Sequence, residues 1–277
     1  MIEIGKYQTL KILRDTSIGI YLGDEDGEEV LLPNKYCPEE SNIGDELHVF
    51  VYLDYAERKI ATNLEPRILL HEFAYLQVAA TSDVGAFLDW GLEKDLFVPF
   101  REQQQRMVER EWYVVYLDLD QTSQRLYASS KIDKFLKNVD LPYKEGEEVS
   151  LLIAKKSELG YTVIINQQHQ GIVYDNEVFS NINIGDETHG YIKTIRPDQK
   201  IDVSLSPIGY RQFNDVNSQL IYEYLIENNG FLPLTDKSSP VEIYAIFGIS
   251  KKAFKKAVGS LYKERKITIE TDGIKKT

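Results

Sequence analysis

An internal repeat constrains the fold of this 277-residue chain more than any other feature of its sequence. Three segments each open with a glycine in a run of alternating polar and apolar residues, at Gly19, Gly85 and Gly160. Fourteen residues after each glycine, a short apolar stretch ends, at Pro33, Pro99 and Tyr174. Forty residues after each glycine, a basic residue opens another stretch, at Lys59, Arg125 and Lys200. Three offsets that recur without gaps indicate three copies of one structural unit.

Each copy predicts five short strands separated by turn residues, within about 65–75 residues. This spacing is typical of a small Greek-key barrel of the OB type. A Gly-Asp pair precedes the fourth strand in the first and third copies, at Gly44 and Gly185, whereas the second copy has Arg110-Glu111. The predicted fold is therefore mainly β, with three tandem OB barrels over residues 1–66, 67–140 and 141–214.

Alternation along the second strand of the middle copy predicts which side chains face outward. It assigns Val84, Ala86, Leu88 and Trp90 to the core and leaves Phe87 on the outer face. An outward aromatic ring on an OB barrel can stack on an unpaired base, for about 1–3 kcal/mol per base. Phe87 is therefore a candidate stacking ring, and packing under a neighbouring barrel is its alternative interpretation.

The other two copies vary this pattern. In the first copy the same alternation buries Ile18, Ile20 and Leu22 and exposes Tyr21, but residues 1–66 have a net charge of −8, which repels phosphate. In the third copy Thr162 stands at the aromatic position, and Tyr174 could supply the ring instead. We expect the second and third copies to be the better candidates for nucleic-acid contact.

Basic side chains near such rings hold a phosphate backbone without selecting a sequence. Alignment of the copies, together with the aromatic candidates, gives one set of candidate RNA-binding residues in the barrels: Phe87, Phe97, Arg101, Arg125, Lys131, Tyr174 and Lys200. Each basic member also has a simpler interpretation as an ordinary solvated charge.

The last part of the chain, residues 215–277, follows a different pattern. From Val216 the apolar period changes from two to about 3.6, which predicts a first helix ending at Asn228-Asn229-Gly230. A second helix is predicted over Pro240–Phe247 and a third after Ser250, a good N-cap. A hairpin over residues 267–276 follows. Three helices and a hairpin are typical of a winged helix, which makes this module α+β.

Lysines on the predicted third helix lie away from its apolar stripe, at Lys252, Lys255, Lys256 and Lys263. Lys251 and Lys252 fall in its first turn, where the helix dipole disfavours cations by about 0.3–1 kcal/mol. A sequence selected only for stability would place acids there, so we interpret these lysines as nucleic-acid contacts. The alternative is that the winged helix docks protein partners.

The overall charge and the residue types exclude several functional classes. A net charge of −12 argues against coating nucleic acid by bulk electrostatics, so any such site must be local. No apolar run is long enough to span a membrane, and the single cysteine, Cys37, fits a reducing cytoplasm. The four histidines are scattered, and phosphate-loop or nucleophile motifs are missing. We therefore expect no enzyme, no cofactor and no metal site.

The strand with Gly and an outward aromatic, the Gly-Asp pair and the closing stretch Lys200–Ser206 resemble the S1-type RNA-binding domain. The order of three such barrels and a winged helix resembles the conserved virulence factor B family across nearly the whole chain. This resemblance implies RNA binding and effects on gene expression at the RNA level, and the outward rings predict a preference for single-stranded RNA. The rival hypothesis is a protein-interaction adaptor whose acidic barrels dock a basic partner.

Overall fold

The computed structural model describes residues 1–175, 178, 181–207 and 216–277, with only the backbone of Val216. The chain divides into two compact units, Met1–Leu205 and Ser206–Thr277. The predicted boundary at residues 214–215 lies outside the described residues. The first unit consists of three successive five-stranded sheets, and the second contains the three described α-helices.

The first sheet is a closed barrel. Its strands are β1 (Lys6–Thr16), β2 (Gly19–Gly23), β3 (Glu29–Pro33), β4 (Glu46–Leu53) and β5 (Lys59–Thr62). They are ordered β1-β2-β3-β5-β4, and a parallel contact between β3 and β5 completes the ring. A short 3₁₀ helix, Asn34–Tyr36, follows β3.

The second sheet repeats this arrangement with strands β6 to β10. They are β6 (Phe73–Thr81), β7 (Gly85–Asp89), β8 (Leu96–Pro99), β9 (Trp112–Asp120) and β10 (Arg125–Ser129). Their order is β10-β9-β6-β7-β8, so β8 and β10 are its edges, and no ladder joins them within the described residues 73–129. The 3₁₀ helices Phe100–Glu102 and Ile132–Lys134 follow β8 and β10.

The third sheet is again a closed barrel, in the order β11-β12-β13-β15-β14. Its strands are β11 (Glu148–Lys156), β12 (Gly160–Ile165), β13 (His169–Tyr174), β14 (Glu187–Ile195) and β15 (Ile201–Ser204). The fold class predicted from the sequence, mainly β with tandem five-stranded barrels, is thus confirmed.

The repeated glycines are explained by a close approach of the second and third strands in each sheet. Each glycine pairs across the ladder with the residue fourteen positions later: Gly19 with Pro33, Gly85 with Pro99, and Gly160 with Tyr174. A Cβ atom at Gly85 would lie 2.3 Å from the carbonyl oxygen of Val98. No side chain fits in that space, so the sequence offset records a cross-strand pair.

The second sheet keeps the connection into its fourth strand although it lacks the Gly-Asp pair. Gly44 and Gly185 have left-handed φ values of 101° and 94°, and Arg110 adopts a φ of 69° at the same place. The Arg110 amide donates to the carbonyl oxygen of Val78 at 2.9 Å, as the Gly44 amide donates to that of Ile12 at 2.8 Å. The turn is therefore conserved in geometry rather than in residue type.

Burial confirms most, but not all, of the predicted core. Ala86 and Leu88 are fully buried and Trp90 is nearly so, but Val84 is 55% exposed. Ile18, at the equivalent place in the first barrel, is 57% exposed. The assignment of Val84 and Ile18 to the core is wrong, because both precede the glycine that opens the strand and belong to the preceding turn.

The second unit has the predicted winged-helix elements. These are α1 (Val216–Glu227), β16 (Phe231–Leu232), α2 (Pro240–Phe247), α3 (Lys251–Lys263), β17 (Ile267–Ile269) and β18 (Ile274–Lys276). Ser239 and Glu242 form a capping box at the start of α2, and Gly248 ends α2 in the left-handed conformation. The Ser250 hydroxyl accepts from the Ala253 amide and caps α3 as predicted.

Candidate nucleic-acid interface

A cleft of about 570 Å³ opens on the outer face of the second barrel. Its walls are β7, β8 and β10, with Val84 from the turn before β7 and Ser123 from the turn before β10. It therefore lies along the seam where β8 and β10 do not pair. In OB barrels this face and these two loops are the surface that binds oligonucleotides. The first barrel borders the cleft with Tyr52 and Leu53 at the end of β4 and with Glu57.

Four of the sequence-predicted residues meet in this cleft: Phe87, Phe97, Arg101 and Arg125. The rings of Phe87 and Phe97 are half-buried on neighbouring strands, with centroids 5.3 Å apart and planes tilted by 37°. The Phe97 ring packs over Gly85, where a Cβ would approach its Cε2 atom to 2.8 Å. The absence of a side chain at Gly85 thus shapes the aromatic floor.

Three aromatic residues that sequence reasoning did not select as contacts also line the cleft: Tyr52, Trp90 and Tyr127. The Tyr127 hydroxyl donates to Asp118 Oδ2 at 2.9 Å, and burial, reinforced by this hydrogen bond, raises the pKa of the phenol. The Trp90 indole nitrogen donates to the Lys94 carbonyl oxygen at 2.6 Å. Tyr127 lies two residues after Arg125 on one strand, so the period of two could have placed both on one face.

Every cation that lines the cleft within the described residues is already paired with a carboxylate. Arg101 Nη2 lies 3.3 Å from Asp120 Oδ2. Lys94 and Arg125 both contact Glu57, which belongs to the first barrel. The cleft is thus an aromatic surface bordered by balanced charges rather than a basic groove.

Two carboxylates of the cleft have shifted pKa values, and one predicted cation lies outside the cleft. Hydrogen bonds from Ser123 and Thr122 lower the pKa of Asp120, which forms the turn before β10. Burial raises the pKa of Asp95, another lining residue. Lys131, predicted as a contact, is the N-cap of the 3₁₀ helix after β10 and does not line the cleft.

The first barrel presents its ring differently. The Arg14 guanidinium lies over the Tyr21 ring, 3.6 Å from its centroid, and Arg14 Nη2 bonds Glu29 Oε2 at 2.8 Å. One face of the Tyr21 ring is therefore occupied within the barrel itself.

In the third barrel the predicted ring is held in a polar network. The Tyr174 hydroxyl accepts from Arg196, whose Nη2 also donates to Asp202 Oδ1 at 2.7 Å. Lys200, the other predicted residue here, pairs with Asp198 at 3.0 Å. Both predicted residues are present at the surface of this barrel, but the structure does not join them to the cleft of the second barrel.

The lysines predicted on α3 are exposed, and the stripe formed by Phe254, Ala257, Val258 and Leu261 is buried. Lys255 lies 3.9 Å from Asp236, a distance typical of a loose ion pair. The first turn of α3 contains no acidic residue. The helix therefore presents a basic outer face over its whole length.

The described residues contain no group of three or more His, Cys, Asp or Glu side chains placed to hold a metal ion. None of their helices is both long and apolar enough to cross a membrane.

Comparison with known proteins assigns both types of module. Residues 4–64 match the S1 domain family, and residues 219–275 match the CvfB-like winged helix domain family. Conserved virulence factor B of Staphylococcus epidermidis is 28% identical over 98% of this chain and 94% of its own length. The predicted resemblance to the conserved virulence factor B family is confirmed.

Two further proteins are similar to this chain over nearly its whole length. The uncharacterized protein YitL of Bacillus subtilis is 28% identical over 95% of this chain and 90% of its own length. A crystal structure of a multidomain protein with nucleic acid binding domains from Streptococcus pneumoniae covers 99% of this chain and 98% of its own, with 22% identity and a TM-score of 0.44. The family matches show that this chain combines an S1 domain with a winged helix domain, which are domains of nucleic-acid-binding types.

Proposed function

We propose that this chain is a non-enzymatic, cytoplasmic RNA-binding protein that acts in post-transcriptional regulation. Its primary site is the cleft of the second barrel, where single-stranded RNA stacks on Phe87 and Phe97. The observation that supports this most is the meeting of two half-buried rings and two arginines in one cleft on the OB-type binding face. The S1 and winged-helix matches support the same class of ligand.

Stacking explains a preference for single strands. A base can lie on an aromatic ring only when it is free of its own stack, so duplex RNA cannot use these rings. Stacking tolerates any base, because every base has a π face. Arg101 and Arg125 at the border of the cleft would hold the phosphates and fix the register.

Fluorescence anisotropy with a labelled homopolymer RNA and a hairpin of equal length tests this proposal. The full chain is expected to bind the unstructured RNA more tightly than the hairpin stem. Equal affinity for both would contradict stacking as the mode of binding. A chain that bound neither RNA would contradict the proposed function as a whole.

The winged helix adds affinity through phosphate contacts from Lys252, Lys255, Lys256 and Lys263. Each contact to a single strand contributes about 0.7 to the slope of log affinity against log salt. Replacing all four lysines by alanine is therefore expected to flatten that slope by up to about 3. Tethering to the barrels makes the loss larger than the isolated module would show, because linked sites act at high effective concentration.

A second candidate function, docking of a protein partner, is favoured by one observation on α2. Val241 is 78% exposed and Tyr244 is 66% exposed, although both are large and apolar. If the four-lysine variant binds RNA with unchanged affinity and salt slope but loses a protein in pull-downs, the winged helix is a docking module. In that case only the barrels bind RNA.

A further inference from the structure

Glu57 lies in the turn between β4 and β5 of the first barrel, but its side chain enters the cleft of the second. Its backbone is left-handed, with φ of 59°, and its amide donates to the Asp54 carbonyl oxygen at 3.1 Å. The turn therefore fixes the direction from which the carboxylate reaches across. The side chain remains 40% exposed, so solvent and ligand can reach it.

The Glu57 carboxylate joins two cations from opposite borders of the cleft. Its Oε1 atom lies 3.2 Å from Lys94 Nζ, just before β8, and its Oε2 atom lies 3.0 Å from Arg125 Nε, at the start of β10. A second cavity of about 430 Å³ shares Glu57 and Arg125 with the cleft, so their ion pair stands between the two cavities. One anionic group thus spans the seam that the strands leave unpaired.

We propose that Glu57 occupies the position of an RNA backbone phosphate and that an incoming strand must displace it. This inference rests on the proposed function, because Glu57 would compete with RNA for the cations of the same cleft. A carboxylate and a phosphate both present anionic oxygens to guanidinium and ammonium donors. The phosphate of a base stacked on Phe97 would need the same two cations, which lie with that ring around one cleft.

The ion pairs of Glu57 with Lys94 and Arg125 are weak enough for RNA to displace the carboxylate. Ion pairs between partly exposed groups are weak, so RNA can break them without unfolding either barrel. The first barrel, although acidic and poorly suited to bind RNA itself, thereby lowers the affinity of the second. A purely structural role for Glu57 makes the opposite prediction, since its loss would then loosen the cleft and weaken binding.

The test compares Glu57→Gln with Glu93→Gln in the full chain. Glu93 is a matched control because it also forms an ion pair between the first two barrels, with Lys35, but does not line the cleft. Anisotropy titrations with a homopolymer RNA, at several salt concentrations, measure affinity and salt slope for both variants and the wild type. Thermal melting checks that each variant keeps its fold.

Glu57→Gln is expected to bind the RNA about threefold to tenfold more tightly, which corresponds to loss of two weak ion pairs. Its salt slope is expected to stay close to that of the wild type, because the strand that displaces Glu57 in the wild type makes the same two phosphate contacts. Glu93→Gln is expected to resemble the wild type. Equal gains in both variants would overturn the inference in favour of bulk charge, and unchanged or weaker binding by Glu57→Gln would overturn it directly.

Phe87→Ala separates failure of this inference from failure of the proposed function. If Phe87→Ala loses RNA binding but Glu57→Gln gains none, the stacking site stands and the competitor role of Glu57 is wrong. If neither the wild type nor Glu57→Gln binds RNA, the proposed function and this inference both fail.

Discussion

The first and second barrels have the same strand register but present their outward rings in opposite ways. In the first barrel Arg14 lies directly across the ladder from Tyr21 and covers its ring. In the second barrel the residue across from Phe87 is Ala80, too short to reach the ring. One residue on the neighbouring strand thus decides whether a ring is occupied or free to stack.

The acidic residue that anchors Arg14 has a counterpart in the second barrel. Glu29, which binds Arg14, corresponds to Asp95 at the same offset of 66 residues that relates Gly19 to Gly85. Asp95 lines the cleft, where burial raises its pKa, but no arginine stands opposite Phe87 for it to hold. The second barrel therefore has a carboxylate, Asp95, at the position of Glu29, but it has no arginine at the position of Arg14.

The net charges of the two barrels also differ, and the barrel with the covered ring is the more acidic one. Residues 1–66 have a net charge of −8, and residues 67–140 have −3. A strongly acidic barrel repels a phosphate chain whatever its rings do. The first barrel thus differs from the second both in the cation over its ring and in its net charge.

The prediction with the largest effect replaces each ring in turn. Phe87→Ala is expected to weaken RNA binding by about 1–3 kcal/mol, because it removes one stacking platform. Tyr21→Ala, its matched control, is expected to leave the affinity unchanged, since Arg14 already covers that ring. Anisotropy titrations of both variants against one homopolymer RNA measure the difference.

Equal losses in the two ring variants would break the comparison and make both barrels binding sites. Melting curves provide the structural control. If the Phe87→Ala variant no longer melted cooperatively, Phe87 would be a core residue rather than a stacking platform.

The second prediction concerns a variant in which the second barrel has an arginine at the position that Arg14 occupies in the first. Ala80→Arg places a guanidinium across from Phe87, with Asp95 at the position of its anchor. Because a base must then displace a cation from the ring, RNA binding is expected to weaken by about 0.5–2 kcal/mol. Ala80→Gln, similar in length but uncharged, controls for bulk, and the same anisotropy titration reads both. Tighter binding by Ala80→Arg would show that a cation at this place serves phosphates instead of blocking bases.

The sequence was sufficient to predict the repeated barrels and the winged helix because both depend on local patterns. The offset from Gly85 to Pro99 is a cross-strand pair, and the caps of α2 and α3 are set by neighbouring residues. Phe87 was predicted to face outward because alternation is a property of one strand. Each of these features lies within one strand, one hairpin or one helix end, so the order of residues along the chain is enough to predict it.

The rest of the site depends on contacts that no local pattern encodes. Glu57 reaches the cleft from another barrel, and Arg101 and Arg125 are paired with carboxylates distant in sequence. Alternation assigns Val84 to the core, but the strand begins only at the next residue, Gly85, and Val84 is exposed. The start of a strand is set by its partner strand, which a single sequence does not show.

The smallest expected effect is a pH dependence of stability that arises from His169 in the third barrel. His169 is buried in β13, and its Nδ1 atom lies 2.8 Å from the Tyr143 hydroxyl. Burial lowers the pKa of His169 below its ordinary value of 6.5, so between pH 6.5 and that lowered value the unfolded chain binds more protons than the folded one. Stability is therefore present above pH 6.5 and is lost as the pH falls through this window. Urea unfolding is expected to show a lower midpoint at pH 5.5 than at pH 7.5, and His169→Gln, which cannot titrate, is expected to reduce the difference. An equal pH dependence in that variant would assign the acid sensitivity to other groups and remove this distinction of the third barrel.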